Sequence, residues 1–124
     1  MFIANPARGT VTRVNVFTLD VRTTEVGQDP VKVLTTPDYA TAVAFNKGDD
    51  TVSIIDALTL ETVTVEVRDN FNNMVMSPDG RWVGVWHDQY AVEADDPPAQ
   101  GLQSFNEVSF VNIETHEHYP MAVD

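Results

Sequence analysis

Slid along itself by 41 positions, the sequence meets itself without a gap, residues 1–40 lying over residues 42–81. Identities fall at Asn5/Asn46, Thr10/Thr51, Val11/Val52, Thr18/Thr59, Leu19/Leu60, Glu25/Glu66, Val26/Val67, Pro37/Pro78 and Asp38/Asp79. Apolar residues exchange for apolar ones between them, as at Val14/Ile55, Val33/Met74 and Leu34/Val75. A fixed period of this length means a repeated supersecondary unit that buries its faces only by stacking on its neighbours. A third copy starts at Trp82. There Val108-Ser109-Phe110-Val111-Asn112 matches Val52-Ser53-Ile54-Ile55-Asp56 at an offset of 56, which against 41 leaves fifteen inserted residues between about Asp88 and Phe105. The repeats are 1–40, 41–81 and 82–124, the last with its insert near 88–105, within a single domain spanning 1–124.

Each repeat holds four short β-rich runs separated by Gly, Pro, Asn and Asp, with no helical periodicity to compete. In the second copy the runs are about 31–35, 41–46, 51–56 and 62–67, called a, b, c and d. Ser77-Pro78-Asp79-Gly80 suits a tight turn in which Pro presets φ and Gly takes the left-handed position; Pro37-Asp38-Tyr39 repeats it with a costlier Tyr. Runs a and b are apolar (Val31, Val33, Leu34; Ala42, Val43, Ala44, Phe45) and are expected to be buried on both faces. Run d carries the charged and hydroxyl side chains, as in Val21-Arg22-Thr23-Thr24-Glu25. A sheet with buried first strands and a wet last strand, repeating at about 40 to 45 residues, is one blade of a radial array. The expected fold is all-β: a β-propeller segment of four-stranded antiparallel blades, about 2.7 of them, or eleven strands. The first blade lacks its inner strand a, so the ring is expected to be incomplete, a fragment of a larger propeller with open blade edges prone to self-association.

Charge narrows the partners. Seven Lys+Arg stand against nineteen Asp+Glu, a net charge of −12, which repels nucleic acid and anionic membrane surfaces. Zero cysteines exclude disulfides, thiolate metal sites and cysteine nucleophiles. The apolar start Met1-Phe2-Ile3-Ala4 runs into Asn5-Pro6, too short for a signal-peptide core, and no run approaches the ~18 residues of a membrane span. Neither a signal peptide nor membrane insertion is therefore expected of this chain.

Phe2-Ile3-Ala4-Asn5, Thr51-Val52-Ser53-Ile54-Ile55-Asp56, Glu25-Val26-Gly27-Gln28-Asp29-Pro30 and Ser77-Pro78-Asp79-Gly80-Arg81 together resemble the YVTN-type β-propeller repeat. The resemblance covers nearly the whole chain except the insert. It implies blades of an extracytoplasmic protein, periplasmic or at the cell surface. Its functional reach is broad, because the family includes cell-surface and surface-layer-like proteins, lactonases and the propeller domains of periplasmic oxidoreductases. The chain departs from the pattern at Trp86-His87, where Ala-Asn is usual, and at Asp69-Asn70-Phe71-Asn72, where Gly and Pro are expected.

Alternating strand polarity puts the b-to-c and d-to-a connections on one rim, here the first rim. It collects Asp29, Asp49, Asp50, Asp69, Asp88, Glu93, Asp95 and Asp96 against Arg8, Lys47 and Arg68. The insert lies on this rim, and a connection of its length is uncommon unless functional or disordered. Its acids Asp88, Glu93, Asp95 and Asp96, with His87 beside them, are the candidate interaction loop. Those carboxylates are oxygen ligands of the kind Ca²⁺ takes, but no Asp-x-Asp-x-Asp-Gly spacing accompanies them, so a solvated acidic loop or a dock for a cationic partner is the expectation. His116 and His118, two apart, would point one way on an extended strand, as a metal pair needs; they fall in the c-to-d turn of the opposite rim and are expected to be exposed turn residues. Trp82 and Trp86 share one face of a strand and suit packing between blades.

No catalytic, cofactor-binding or metal-ligating set is recognisable: Gly-x-Ser-x-Gly, phosphate-loop and His-Glu-x-x-His patterns are all absent. The expected role is a binding or scaffold module whose partners are another protein or the remaining blades. The alternative is a piece of an enzyme propeller, a lactonase or a periplasmic oxidoreductase, with its catalytic groups elsewhere.

Overall fold

The computed structural model describes residues 1–68, 71–87 and 107–122. Eleven strands follow one another: β1 (Phe2–Asn5), β2 (Thr10–Val14), β3 (Val21–Glu25), β4 (Pro30–Thr35), β5 (Thr41–Asn46), β6 (Thr51–Asp56), β7 (Thr62–Glu66), β8 (Asn73–Met76), β9 (Trp82–Trp86), β10 (Glu107–Asn112) and β11 (His118–Ala122). They form three antiparallel meanders, β1-β2-β3, β4-β5-β6-β7 and β8-β9-β10-β11. These are blades of a β-propeller, the first with three strands and the others with four. A single 3₁₀ turn, Pro6–Arg8, interrupts the β structure among the described residues.

The turns repeat with the sequence. Between β6 and β7 the Asp56 carboxylate accepts the backbone N–H of Leu58 and Thr59 at 2.9 and 3.0 Å. Asn15 Oδ1 accepts those of Phe17 and Thr18, and Asn112 Oδ1 those of Glu114 and Thr115, in the same way. Each turn then closes on a residue with positive φ: Leu19, Leu60 and His116. Between β4 and β5 the Thr36 hydroxyl donates to Asp38 at 2.7 Å, and Asp38 accepts the Ala40 N–H; Ser77, Asp79 and Arg81 repeat this between β8 and β9. These donors hold the Asp38, Asp56 and Asp79 carboxyls below their ordinary range, chiefly through the Thr36 hydroxyl, the Thr59 N–H and the Ser77 hydroxyl respectively.

The burial of run a differs from expectation. β5 is buried along nearly its whole length, and its buried neighbour is β6; β4 and β8 are half-buried, with Val31 and Val75 exposed. The reason is position. β5 and β6 are paired on both edges and covered on both faces, whereas β4 and β8 are the innermost strands and, among the described residues, pair on one edge only. An apolar run of five residues does not distinguish these two situations.

Stacking of the blades makes two cores. Phe2, Val11 and Val26 of the first blade meet Val33, Ala42, Ala44 and Ile55 of the second. The opposite face of the second blade, Val43, Phe45, Val52 and Ile54, meets Met74, Val83, Val85 and Val111 of the third, with Val67 and Phe71 sealing the cluster. Alternate residues of each strand thus serve opposite neighbours, as the period-2 geometry of a strand requires.

Candidate functional site: the first rim

At the rim ends of β1 and β5 an amide side chain ties the following turn to the sheet. Asn46 Nδ2 donates to Thr51 Oγ1 at 3.0 Å and to Ser53 Oγ at 2.9 Å; Ser53 continues to Thr64 at 3.1 Å, and Thr51 donates onward to Asp49 at 2.7 Å. Asn5 repeats the cradle with Thr10, Thr12 and Thr23 at 3.1, 2.9 and 3.0 Å. Asn46 has no exposed surface, and its Oδ1 has no partner among the described residues.

The cover over Asn46 is backbone. Gly27, leaving the first blade, lies so close that a Cβ there would sit 2.5 Å from Thr51 Oγ1, 2.6 Å from Asp49 Oδ1 and 2.8 Å from Asn46 Cβ. Gln28 and Asp29 then accept the N–H groups of Gly48 and Lys47, each at 3.0 Å. Asp29 itself has φ of 52°, so the chain bends sharply into β4. Beside this seam is an open cavity of about 410 Å³ bounded by Arg8, Glu25, Gln28, Asp29 and Asp49. Three carboxylates face one guanidinium there, which makes the cavity a cation-attracting surface.

His87 follows β9 at the position of Asn5 and Asn46, half-buried on the first rim. Asp88, Glu93, Asp95 and Asp96, the rest of the candidate loop, lie outside the described residues, as does Asp69. Among the described residues no group of three or more His, Asp or Glu side chains is placed to hold a metal ion.

Of the two distal histidines, His116 lies in the turn as expected and His118 does not. His116 occupies the positive-φ position of its turn (φ 64°), not an extended conformation, so it does not pair with His118 on one face. His118 begins β11 and is half-buried, with Nε2 2.8 Å from the fully buried Ser109 Oγ, which also accepts the Arg68 N–H at 3.5 Å. Burial first and the Arg68 charge second push the His118 imidazole below its ordinary pKa. Only His118 departs from the expected turn, because the polar stretch Glu114-Thr115-His116-Glu117 gives no sign of where the strand resumes.

Trp82 and Trp86 share a face with Gly84, and that face points away from the second blade, where Val83 and Val85 pack. Trp82 stacks at a tilt on Tyr119, ring centroids 5.7 Å apart. One residue carried no sequence signal beyond an Arg where the next repeat has Ile54. Arg13 reaches from the first blade to the second, its Nη1 donating to the carbonyls of Ala57 and Leu58 at 2.8 Å each.

Solved structures match this chain closely in fold. Kuenenia stuttgartiensis hydrazine synthase is 23% identical with a TM-score of 0.75, over 99% of this chain and 32% of that one. The dihydro-heme d1 dehydrogenase NirN, in complex with DHE, is 16% identical with a TM-score of 0.72, over 98% of this chain and 23% of that one. A putative 6-phosphogluconolactonase from Bacteroides fragilis NCTC 9343 is 18% identical with a TM-score of 0.61, over 99% and 36%. The chain therefore spans about a third or less of the length of these structures. No protein-family model matches the sequence, and no curated protein sequence does. Likeness at this identity establishes the propeller fold alone. Among the described residues no helix is long and apolar enough to cross a membrane.

Proposed function

We propose that this chain is a binding or scaffold module of an extracytoplasmic β-propeller of YVTN type, with the acidic first rim as the surface that engages a cationic protein partner. The observation that carries this reading is the seam between the first two blades, where Glu25, Asp29 and Asp49 surround a cavity with Arg8 as its one cationic wall. The sequence adds the acids Asp88, Glu93, Asp95 and Asp96 of the insert, which is expected on the same rim. Electrostatic attraction of this kind sets encounter rate and partner choice more than affinity, and salt screens it. The extracytoplasmic compartment rests on the family resemblance.

A Lys- and Arg-rich peptide titrated against the chain tests the reading. Binding should weaken as salt rises, fall in an Asp29→Asn/Asp49→Asn double variant, and fall further on deletion of residues 91–103 with the fold retained. Binding that ignores salt and both changes would overturn it.

A second reading is an enzyme propeller, a lactonase or an oxidoreductase, whose catalytic groups lie in other blades. What favours it is His87, the single first-rim residue at which the Asn cradle is replaced by a group able to ligate a metal or transfer a proton.

A further inference from the structure

Six residues other than glycine have positive φ among the described residues, and Asp29, with φ of 52°, is the one of them that precedes a proline. The left-handed conformation costs a residue with a Cβ free energy, and a following proline ring pushes its neighbour toward extended backbone, so two demands conflict at Asp29. The second blade holds the conflict in place. Pro30 is fully buried and pairs with Asn46 of β5, and the strand register shifts between Pro30 and Lys32. The Asp29 carbonyl accepts the Lys47 N–H at 3.0 Å, and the Gln28 carbonyl accepts the Gly48 N–H at 3.0 Å. A Cβ on Gly48 would lie 3.0 Å from Asp29 Cβ, so the backbone of that turn is seated against the base of the Asp29 side chain.

Three chemical conditions meet at this bond. The Asp29 side chain is exposed, with no hydrogen-bond or ion-pair partner among the described residues, and its carboxyl can close a five-membered ring onto its own peptide carbonyl. Attack from within the same residue gains from proximity what a free acid in solution lacks. The Lys47 N–H, already on the carbonyl oxygen, is a fixed donor for the negative charge that attack would develop there. The group that must leave is the nitrogen of Pro30, a tertiary amide, and its departure frees Asp29 from its strained φ.

We propose that Asp29-Pro30 is a self-scission site, at which the Asp29 carboxyl cleaves its own peptide bond in mild acid. The protonated carboxyl bonds through oxygen to the Asp29 carbonyl carbon, the C–N bond to Pro30 breaks, and the carboxyl proton passes to the Pro30 nitrogen. A cyclic anhydride is left on Asp29 and a secondary amine on Pro30. One water then opens the anhydride to two carboxyl groups, so the sum is hydrolysis of a single peptide bond. The chain divides into 1–29 and 30–124 at the seam between its first two blades, and the buried Pro30 gains a titratable amine. This goes beyond the binding role of the rim: the step is covalent and needs no partner.

The test incubates the full chain at about pH 5 beside a synthetic peptide of residues 24–36, which carries the same bond without the fold. Mass spectrometry follows fragments 1–29 and 30–124; scission at Asp96-Pro97, the other Asp-Pro bond of the sequence, gives different masses and is scored apart. Expected is scission at Asp29-Pro30 about tenfold or more faster in the chain than in the peptide, through strain relief and the Lys47 donor together. The rate should rise as pH is lowered from about 7 to about 5, since the protonated carboxyl is the reactant. Asp29→Asn, which tolerates the same left-handed conformation, should lose both fragments. Scission no faster in the chain than in the peptide, or fragments undiminished in Asp29→Asn, would overturn the proposal.

Discussion

Asn5 and Asn46 occupy equivalent places in successive repeats and make the same pair of side-chain hydrogen bonds, yet Asn46 is fully buried under Gly27 while Asn5 borders an open cavity of about 440 Å³. The sequence duplicates the cradle; the neighbouring blade decides whether water reaches it. Removing a buried hydrogen-bonding partner leaves the others desolvated, which costs ~1–3 kcal/mol, whereas water replaces it at an open site. Asn46→Ala is therefore expected to lower unfolding free energy in urea by about 1–3 kcal/mol, and Asn5→Ala by about 0.5 kcal/mol or less. Equal losses at the two positions would show that the Gly27 cover does not exclude water.

Gly27 gives the complementary test. A methyl group there meets Thr51, Asp49 and Asn46 at 2.5–2.8 Å, all on one side, and the Asn46 cradle holds them in place. Gly27→Ala should destabilise by ~1–3 kcal/mol through overpacking. Relief by Asp49→Ala, which removes one of the three obstacles, would be read in a double-mutant cycle as a coupling between the two sites. Additive losses would mean the strain is taken up elsewhere.

How far the sequence foretold this molecule depends on what each residue had to report. The period displays the strands, because the turn residues Pro37, Asp38, Asn46 and Asp56 recur where the chain must reverse. Local chemistry suffices to read them. Burial of β4 against β6 did not show, since Val31-Lys32-Val33 and Thr51-Val52-Ser53 look alike until the edge strand is told from the central one. On the first rim, His87 was legible as an Asn replacement by alignment alone. The Gly27 cover and the Arg13 tie to Ala57 and Leu58 were not, because both are contacts between repeats, and a pattern within one repeat carries no record of what its neighbour places against it.

Tyr39 and Gly80 take the same turn position with φ of 60° and 72°. A left-handed conformation costs a non-glycine residue roughly 1–2 kcal/mol, while glycine loses more entropy on folding. Tyr39 is 79% exposed, so little packing offsets its strain. Tyr39→Gly is expected to raise stability by up to about 1 kcal/mol in urea denaturation. Gly80→Ala should lower it by about 1 kcal/mol or more, since strain and the 2.7 Å approach to Pro37 Cδ act together. Destabilisation by Tyr39→Gly would mean that the aromatic ring contributes more through packing than its exposure implies.

His118, half-buried with Nε2 beside Ser109 Oγ, ties stability to pH. Its folded-state pKa lies below the ordinary value of about 6.5, because burial and then the Arg68 charge disfavour the imidazolium. Above that ordinary value both states are neutral and the contribution is fully present. As pH falls below it, the unfolded chain takes the proton first, and the contribution is lost as pH drops through the folded value. The urea midpoint of the native chain should therefore decline between about pH 7 and pH 5 more steeply than that of His118→Gln, in which the same place cannot titrate. The two chains differ only at residue 118, so the difference between the two curves isolates His118. An NMR titration placing the His118 pKa at or above about 6.5 would reverse the sign and remove burial and the Arg68 charge as its cause.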